Sequence, residues 1–375
     1  MNECQNARNY FIKKIFLIFV FWFLLIITIN KLSVNFISDR TSYELPFKVP
    51  ATFTIAPFLN MDGRHYLDIA CNGYFVKGGF DLRVFFPVYP LLVKAFSLNC
   101  SLNPIIVGLL ISAVSFLASL YLLARMLGKD IRFKTLLLLI FFPTSFFFAA
   151  YYTESVFFLF TLLFFWFVEK KKYIAASMFA ALASGTRLLG VALAPVLFYE
   201  AYRDYKKNGT VRWEVLFAPA GLILFSVYNW ISTGSFLTFL TNQTYWNRPV
   251  GITAPLYGLV RQVVNVASGP QVSYDSPFVY PVILIEFAIL LFFLAILYFS
   301  YRKIKTSYWI YMFVSFLIIL FAGPSSFPRY TLVLFPAYIF LSERLKGIRY
   351  AIYLTVSFGL FVFMASLFLR GYWAS

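Results

Sequence analysis

The chain has 375 residues, of which 61% are hydrophobic, 22% aromatic and only 13% charged. Soluble domains carry roughly 25% charged residues, so this composition, with a mean hydropathy of +0.78, excludes a chain that covers itself with a water-facing surface. The formal charge of +17 is no nucleic-acid signature, because the Lys and Arg cluster at the ends of apolar runs rather than as a basic stripe on a soluble domain.

Apolar runs suited to crossing about 30 Å of hydrocarbon lie at about 15–30, 104–124, 135–151, 153–168, 173–186, 187–200, 213–232, 278–300, 307–322, 330–342 and 350–370. The expected fold is therefore an all-α polytopic membrane protein of about 11 transmembrane helices, a single multi-pass domain over 1–375. The first run follows Lys13 and Lys14 as a signal peptide would, but it has no small-x-small cleavage site and leads straight to Asn30 and Lys31, which reads as a retained anchor. Runs around 173–200 are short, as membrane helices can be where their backbone lines a protein cavity.

Alternating the runs from a cytoplasmic N-terminus puts 20 of the 32 Lys and Arg in six short cytoplasmic segments, including Lys170, Lys171 and Lys172 and the group Arg203, Lys206, Lys207 and Arg212. Two outer segments are long, 31–103 and 232–276. Both are rich in aromatics, which suits chain lying at the interface, and Phe236, Phe239, Tyr245 and Trp246 of the second suggest a lid.

The first outer segment contains a run from Asn60 to Tyr74 whose polar residues Arg64, His65, Asp68 and Asn72 share one helical arc and whose apolar residues share the other. This predicts a short interfacial helix with Asn60 as N-cap, Asp62 in its first turn and His65 three residues on. Asp62 reads either as a general base just above the bilayer or as a capping carboxylate, and Asp68 as a partner for Arg64 one turn earlier. Pro87 and Pro90 bracket aromatics and predict a kinked re-entry into the membrane.

Further along, Phe142-Pro143-Thr144-Ser145 precedes Tyr151-Tyr152-Thr153-Glu154-Ser155, where a carboxylate at membrane depth is expensive and calls for a task or a partner. Arg187 and Arg329 bound membrane segments on the side where the charge bias disfavours arginine. Each reads as a phosphate-binding guanidinium or as a snorkelling side chain. The cysteines Cys4, Cys71 and Cys100 show no metal spacing and no disulfide framework, Cys71 and Cys100 fall on one side so that a bridge between them is possible, and a single histidine excludes a histidine-rich metal site.

Two of these stretches, Asp62-Gly63-x-His65-Tyr66-Leu67-x-Ile69-Ala70-x-x-Gly73-Tyr74 and Phe85-Phe86-Pro87-x-Tyr89-Pro90-Leu91-Leu92, together resemble the GPI mannosyltransferase II (PIG-V-like) family of the GT-C superfamily of membrane glycosyltransferases. The segments around Glu154, Arg187 with Gly190, and Arg329 fall in the family's order, so the resemblance spans about residues 60 to 340. Met61 stands where the family usually has Trp. The resemblance implies a GT-C-like fold and transfer of a sugar, commonly mannose, from a polyprenyl-phosphate donor to a hydroxyl of a lipid or glycan acceptor. Transfer would occur with inversion, in the cell membrane or the endoplasmic reticulum membrane, on the non-cytoplasmic side.

In that reading Asp62 is the catalytic base, with His65 beside it. Arg187 and Arg329 bind the donor phosphate, Glu154 positions the acceptor or holds an arginine in place, and Asp68 and Tyr152 serve the acceptor or support the site. The donor tail would lie beside Pro87 and Pro90. No metal, cofactor or nucleic acid is expected, and the partners are the lipid-linked sugar, the acceptor and membrane lipids. A flippase for lipid-linked sugars would need polar residues running to the cytoplasmic side, and the inner helix halves hold few. A noncatalytic assembly subunit would tolerate Asp62→Asn.

Overall fold

A computed structural model describes residues 2–40, 55–74, 76–77, 80–246, 251, 253–269, 276–322 and 326–374. Almost every described element is helical. In chain order, α1 (Asn2–Ser33) is followed by a 3₁₀ turn at Ala56–Leu59, α2 (Asp62–Asn72), a two-residue antiparallel pairing of Val76–Lys77 with Phe80–Asp81, and α3 (Val88–Phe96). Next come α4 (Pro104–Met126), α5 (Lys129–Ile140), α6 (Glu154–Glu169), α7 (Tyr173–Ser184), α8 (Leu193–Asn208) and α9 (Ala220–Thr233). The chain continues with α10 (Thr238–Thr241), α11 (Ala254–Ser268), α12 (Val279–Ser300), α13 (Thr306–Ala322), α14 (Phe327–Thr331), α15 (Phe335–Arg344) and α16 (Gly347–Leu369).

Among the described residues, four helices are long and apolar enough to cross a membrane: Asn9–Ser33 within α1, α4, α12 and α16. A fifth candidate is α9 continued by Thr238–Thr244 after a bend of 87°. These are the helices of an integral membrane protein. The other apolar runs form shorter helices because the sequence interrupts them. The run at 135–151 leaves the helix after Ile140, and Pro143 turns it into a 3₁₀ segment at Ser145–Phe148. The run at 187–200 opens as a 3₁₀ turn at Leu188–Ala192 before α8. There Gly190 lies so close to α7 that a Cβ would stand 2.3 Å from the Ala183 carbonyl carbon, so only glycine fits.

One local expectation changes. Pro87 and Pro90 do not kink a re-entering helix. They open α3, with Pro87 as its N-cap and Pro90 at the third helical position, where a missing N–H forfeits no intrahelical bond. The outer segment 232–276 contains the 15-residue helix α11, which packs against α12 and α13. Among the residues read as a lid, Phe239 is buried against Phe86 and Phe225 and Phe236 stacks on Trp230, while the side chains of Tyr245 and Trp246 lie outside the described residues.

The helices place different chemistry at their two ends. From Glu154, α6 runs about 22 Å at 1.5 Å per residue to Glu169, which meets Lys305 and accepts from the Tyr308 hydroxyl at 3.0 Å. At that same far end Asp204 accepts from Lys171 at 3.2 Å and from Arg212 at 2.9 and 3.0 Å, and the Arg212 hydrogen bonds hold its carboxyl below the usual carboxylate range. The opposite end carries α2, α3 and a disulfide between Cys71 and Cys100, which ties the end of α2 to the turn before α4.

Closing a loop of 29 residues constrains the unfolded chain by about 3–4 kcal/mol in the chain-entropy account. Thiol alkylation of the unreduced, denatured protein is expected to label Cys4 alone, and all three cysteines after reduction. Cys71→Ser is expected to lower the midpoint of thermal unfolding in detergent.

Candidate functional site

The site assembles where several helices stop. Tyr151 donates its N–H to the Phe58 carbonyl at 2.9 Å, joining the turn before α2 to the turn before α6. Tyr152 then locks the start of α2: its hydroxyl donates to the Asn60 carbonyl at 2.7 Å and accepts the Asp62 N–H at 3.0 Å. The expected Asn60 cap is not formed. Asn60 is buried and donates its side-chain amide to the Phe368 carbonyl at 2.7 Å, and the N-cap is Met61, held at φ +58. A residue with a Cβ adopts that backbone only where its surroundings enforce it, as this pair of Tyr152 hydrogen bonds does. Asp62 keeps its predicted place in the first turn of α2.

Three charged side chains reach towards Asp62 from elsewhere in the chain. Arg329, on the short helix α14, donates Nη1 to Asp62 Oδ2 at 2.6 Å and Nε to Glu154 Oε1. Arg187, in the turn after α7, donates Nη1 to the same Glu154 oxygen and to Thr153 Oγ1 at 3.0 Å. The result is a continuous chain Asp62–Arg329–Glu154–Arg187. Glu154 has no solvent exposure, the two arginine side chains are about one-tenth exposed, and Asp62 is a quarter exposed. Asp62 is thus the carboxylate that faces open space, and Glu154 is the buried counter-ion.

Aromatic rings wall the cluster. The Arg329 guanidinium lies 4.6 Å from the Tyr152 ring and 5.0 Å from that of Phe147, and Arg187 lies 5.3 Å from Tyr330. Burial pushes the phenols of Tyr66 and Tyr152 well above their ordinary range, so both stay protonated. Sequence motifs far apart in the chain are pinned together around these rings. Val88 donates its N–H to the Gly185 carbonyl at 3.1 Å, and Thr144 donates its hydroxyl to the Pro328 carbonyl at 3.1 Å, next to Arg329.

Of the residues singled out from the sequence, Asp62, Tyr152, Glu154, Arg187 and Arg329 come together. His65 sits one turn after Asp62, its ring stacked on Phe85 at 5.1 Å. Asp68 is buried, and six residues along α2 place it about 9 Å further on than Asp62. Sequence reasoning passed over Thr153, the pair Asp81–Arg83 at 3.0 Å with Ser232 beside it, and Glu286. The signal for Glu286 was present, as a lone acid inside the apolar run 278–300. Among the described residues, no three His, Cys, Asp or Glu side chains converge as a metal site would require.

Comparison with protein-family models, curated proteins and solved structures finds no match to this chain.

Removing the charge of Glu154 leaves two nearly buried guanidinium groups without their shared counter-ion, a change that costs about 3–5 kcal/mol when one partner of a buried ion pair is lost. Glu154→Gln is expected to lower thermal stability in detergent by an amount in that range, and more than Asp68→Asn does.

Proposed function

We propose that this chain is a GT-C-type glycosyltransferase that moves a sugar, mannose by the family resemblance, from a polyprenyl-phosphate donor to a hydroxyl of a lipid or glycan acceptor. The observation that carries the proposal is the Asp62–Arg329 contact at 2.6 Å within a cluster that also holds Glu154 and Arg187. Group transfer from a phosphate-linked lipid needs a base for the acceptor hydroxyl and fixed positive charge for the leaving phosphate, side by side at the membrane surface. Asp62 supplies the first. Arg329 and Arg187 supply the second: beyond the bonds already given, Nε and Nη2 of Arg187 and Nη2 of Arg329 donate to nothing among the described residues.

In the proposed step the acceptor oxygen attacks the anomeric carbon from the face opposite the phosphate. Its proton passes to Asp62, the bond from the anomeric carbon to the phosphate oxygen breaks, and the lipid phosphate leaves with the electron pair. A new glycosidic bond forms with inverted configuration. Glu154 holds both guanidinium groups in place, and Tyr152 fixes the first turn of α2 from which Asp62 projects. His65, one turn further along, stacks its ring on Phe85.

The proposal includes the topology of about eleven spans with the N-terminus in the cytoplasm and the site on the outer or lumenal side. Two observations support that orientation independently. The Cys71–Cys100 disulfide lies at the site end, and disulfides persist in oxidising compartments. The basic groups around Lys171, Arg212 and Lys305 lie at the other end, as the positive-inside rule requires of a cytoplasmic face.

Two experiments test the proposal. Purified protein given polyprenyl-phosphate mannose and a panel of hydroxyl acceptors is expected to release polyprenyl phosphate, and Asp62→Asn to reduce turnover by at least about 10²-fold, the scale of general-base catalysis. Equal turnover in the variant removes Asp62 from the role of base. Turnover in neither, with several donor sugars, favours a flippase or an assembly subunit. Separately, a membrane-impermeant thiol reagent applied to intact cells is expected to label Asp39→Cys and to spare Lys170→Cys; the reverse pattern turns the site towards the cytosol.

A further inference from the structure

Glu286 is the one carboxylate of α12, seven residues in from its start and 1% exposed, in a helix otherwise built of apolar and aromatic side chains with two tyrosines, a proline and a serine. A carboxylate at that depth is costly to keep unless it has a task. Its Oε1 accepts the backbone N–H of Ser326 at 2.8 Å. Ser326 is buried and takes φ +65 and ψ +26, a left-handed conformation that a residue with a Cβ adopts at a cost. The carbonyl of Ser326 then accepts the N–H groups of Arg329 at 3.1 Å and Tyr330 at 3.3 Å, which closes the first turn of α14. Phe293, two turns after Glu286, packs edge-on against Phe327 at 5.9 Å and fixes the helix against that turn.

We propose that Glu286 is a positioning residue: by holding the strained Ser326 turn it sets where the Arg329 guanidinium stands between Asp62 and Glu154. The inference deepens the glycosyl-transfer reading and rests on it for the role of Arg329. The hydrogen-bonded path is short, running from the Glu286 carboxylate through the Ser326 backbone to the first turn of α14. Arg329 makes two directed charge-assisted contacts and lies against two rings, so the guanidinium has little room to re-form these contacts if its turn shifts. A misplacement of about 1 Å in such a group is enough to lose on the order of 10²-fold in rate.

The test uses the full chain with Glu286→Gln, Glu286→Leu, Ser326→Gly and the double variant Glu286→Leu/Ser326→Gly. Turnover with polyprenyl-phosphate mannose and hydrogen–deuterium exchange across residues 326–330 are measured in parallel. The glutamine carbonyl accepts the same N–H, so E286Q is expected to keep wild-type exchange and nearly wild-type kcat. E286L is expected to exchange faster and to lose roughly 10–100-fold in kcat with little change in donor KM, because Arg329 meets charge that develops as the phosphate leaves. Ser326→Gly removes the backbone strain and is expected to restore most of that loss in the double variant.

Unchanged exchange in E286L overturns the proposal, and so does E286Q as impaired as E286L. If the wild type transfers no sugar, the glycosyl-transfer reading fails by itself. The exchange pattern of the same variants then decides whether Glu286 holds the turn.

Discussion

One carboxylate oxygen of Glu154 accepts from two guanidinium groups, Arg187 and Arg329, that lie 33 and 175 residues away in the chain. Ions in an apolar interior are tolerated only when paired and hydrogen-bonded, so this contact constrains everything that delivers its members. It accounts for the short elements around it. Helix α6 begins at Glu154 itself, α7 stops at Ser184 so that the next turn can bring in Arg187, and α14 has only five residues and carries Arg329. Were these helices continuous, their side chains would follow a helical surface instead of converging on one point. Broken backbone is permitted there because it lies inside protein, where Tyr152, Thr144 and Glu286 satisfy its polar groups.

The four charged residues of the chain Asp62–Arg329–Glu154–Arg187 sum to zero formal charge, which lets them sit at low exposure without an added ion. The distribution is uneven, however. The buried acid is held from two sides, while the exposed acid is held from one. In the proposed reading that asymmetry separates a structural carboxylate from a reactive one, two roles that the sequence alone left open for both residues.

Much of this arrangement was readable beforehand, for definite reasons. Asp62 was placed in the first turn of a helix by the periodicity of the residues that follow it, which is local information. Glu154, Arg187 and Arg329 drew attention because a charge inside apolar sequence is expensive wherever it lies. Glu154 was expected to position the acceptor or to hold an arginine; that one of its oxygens holds both arginines was not readable, since no periodicity links positions 175 residues apart. Asn60 was read as a cap from its type and place, but a tertiary acceptor, the Phe368 carbonyl, claims its amide, and Tyr152 takes over the stabilisation of α2. Asp68 fell on a polar arc of the wheel yet is buried, because α2 is packed on more sides than an interfacial helix would be. Apolar run length marked where lipid-facing chain occurs, but it could not tell a 23-residue helix such as α4 from a 10-residue one such as α15, whose run starts within α14.

The proposed chemistry adds one more anion to this neutral cluster. In the proposed reaction Arg329 is the member that both reacting partners need: its Nη1 holds Asp62, and the same guanidinium is to meet the leaving phosphate. Before transfer, the negative charge beside it lies on Asp62. As the acceptor proton moves to that carboxylate, the charge there falls while charge on the departing phosphate grows. A single guanidinium placed between the two therefore stays close to one full negative charge throughout, and no rearrangement is required at the moment of reaction. Glu154 keeps it there. Had Arg329 been anchored by Asp62 alone, protonating the base would also have released the cation that stabilises the leaving group. The second, buried carboxylate separates these two events, and that is the physical reason for two acids to share one arginine.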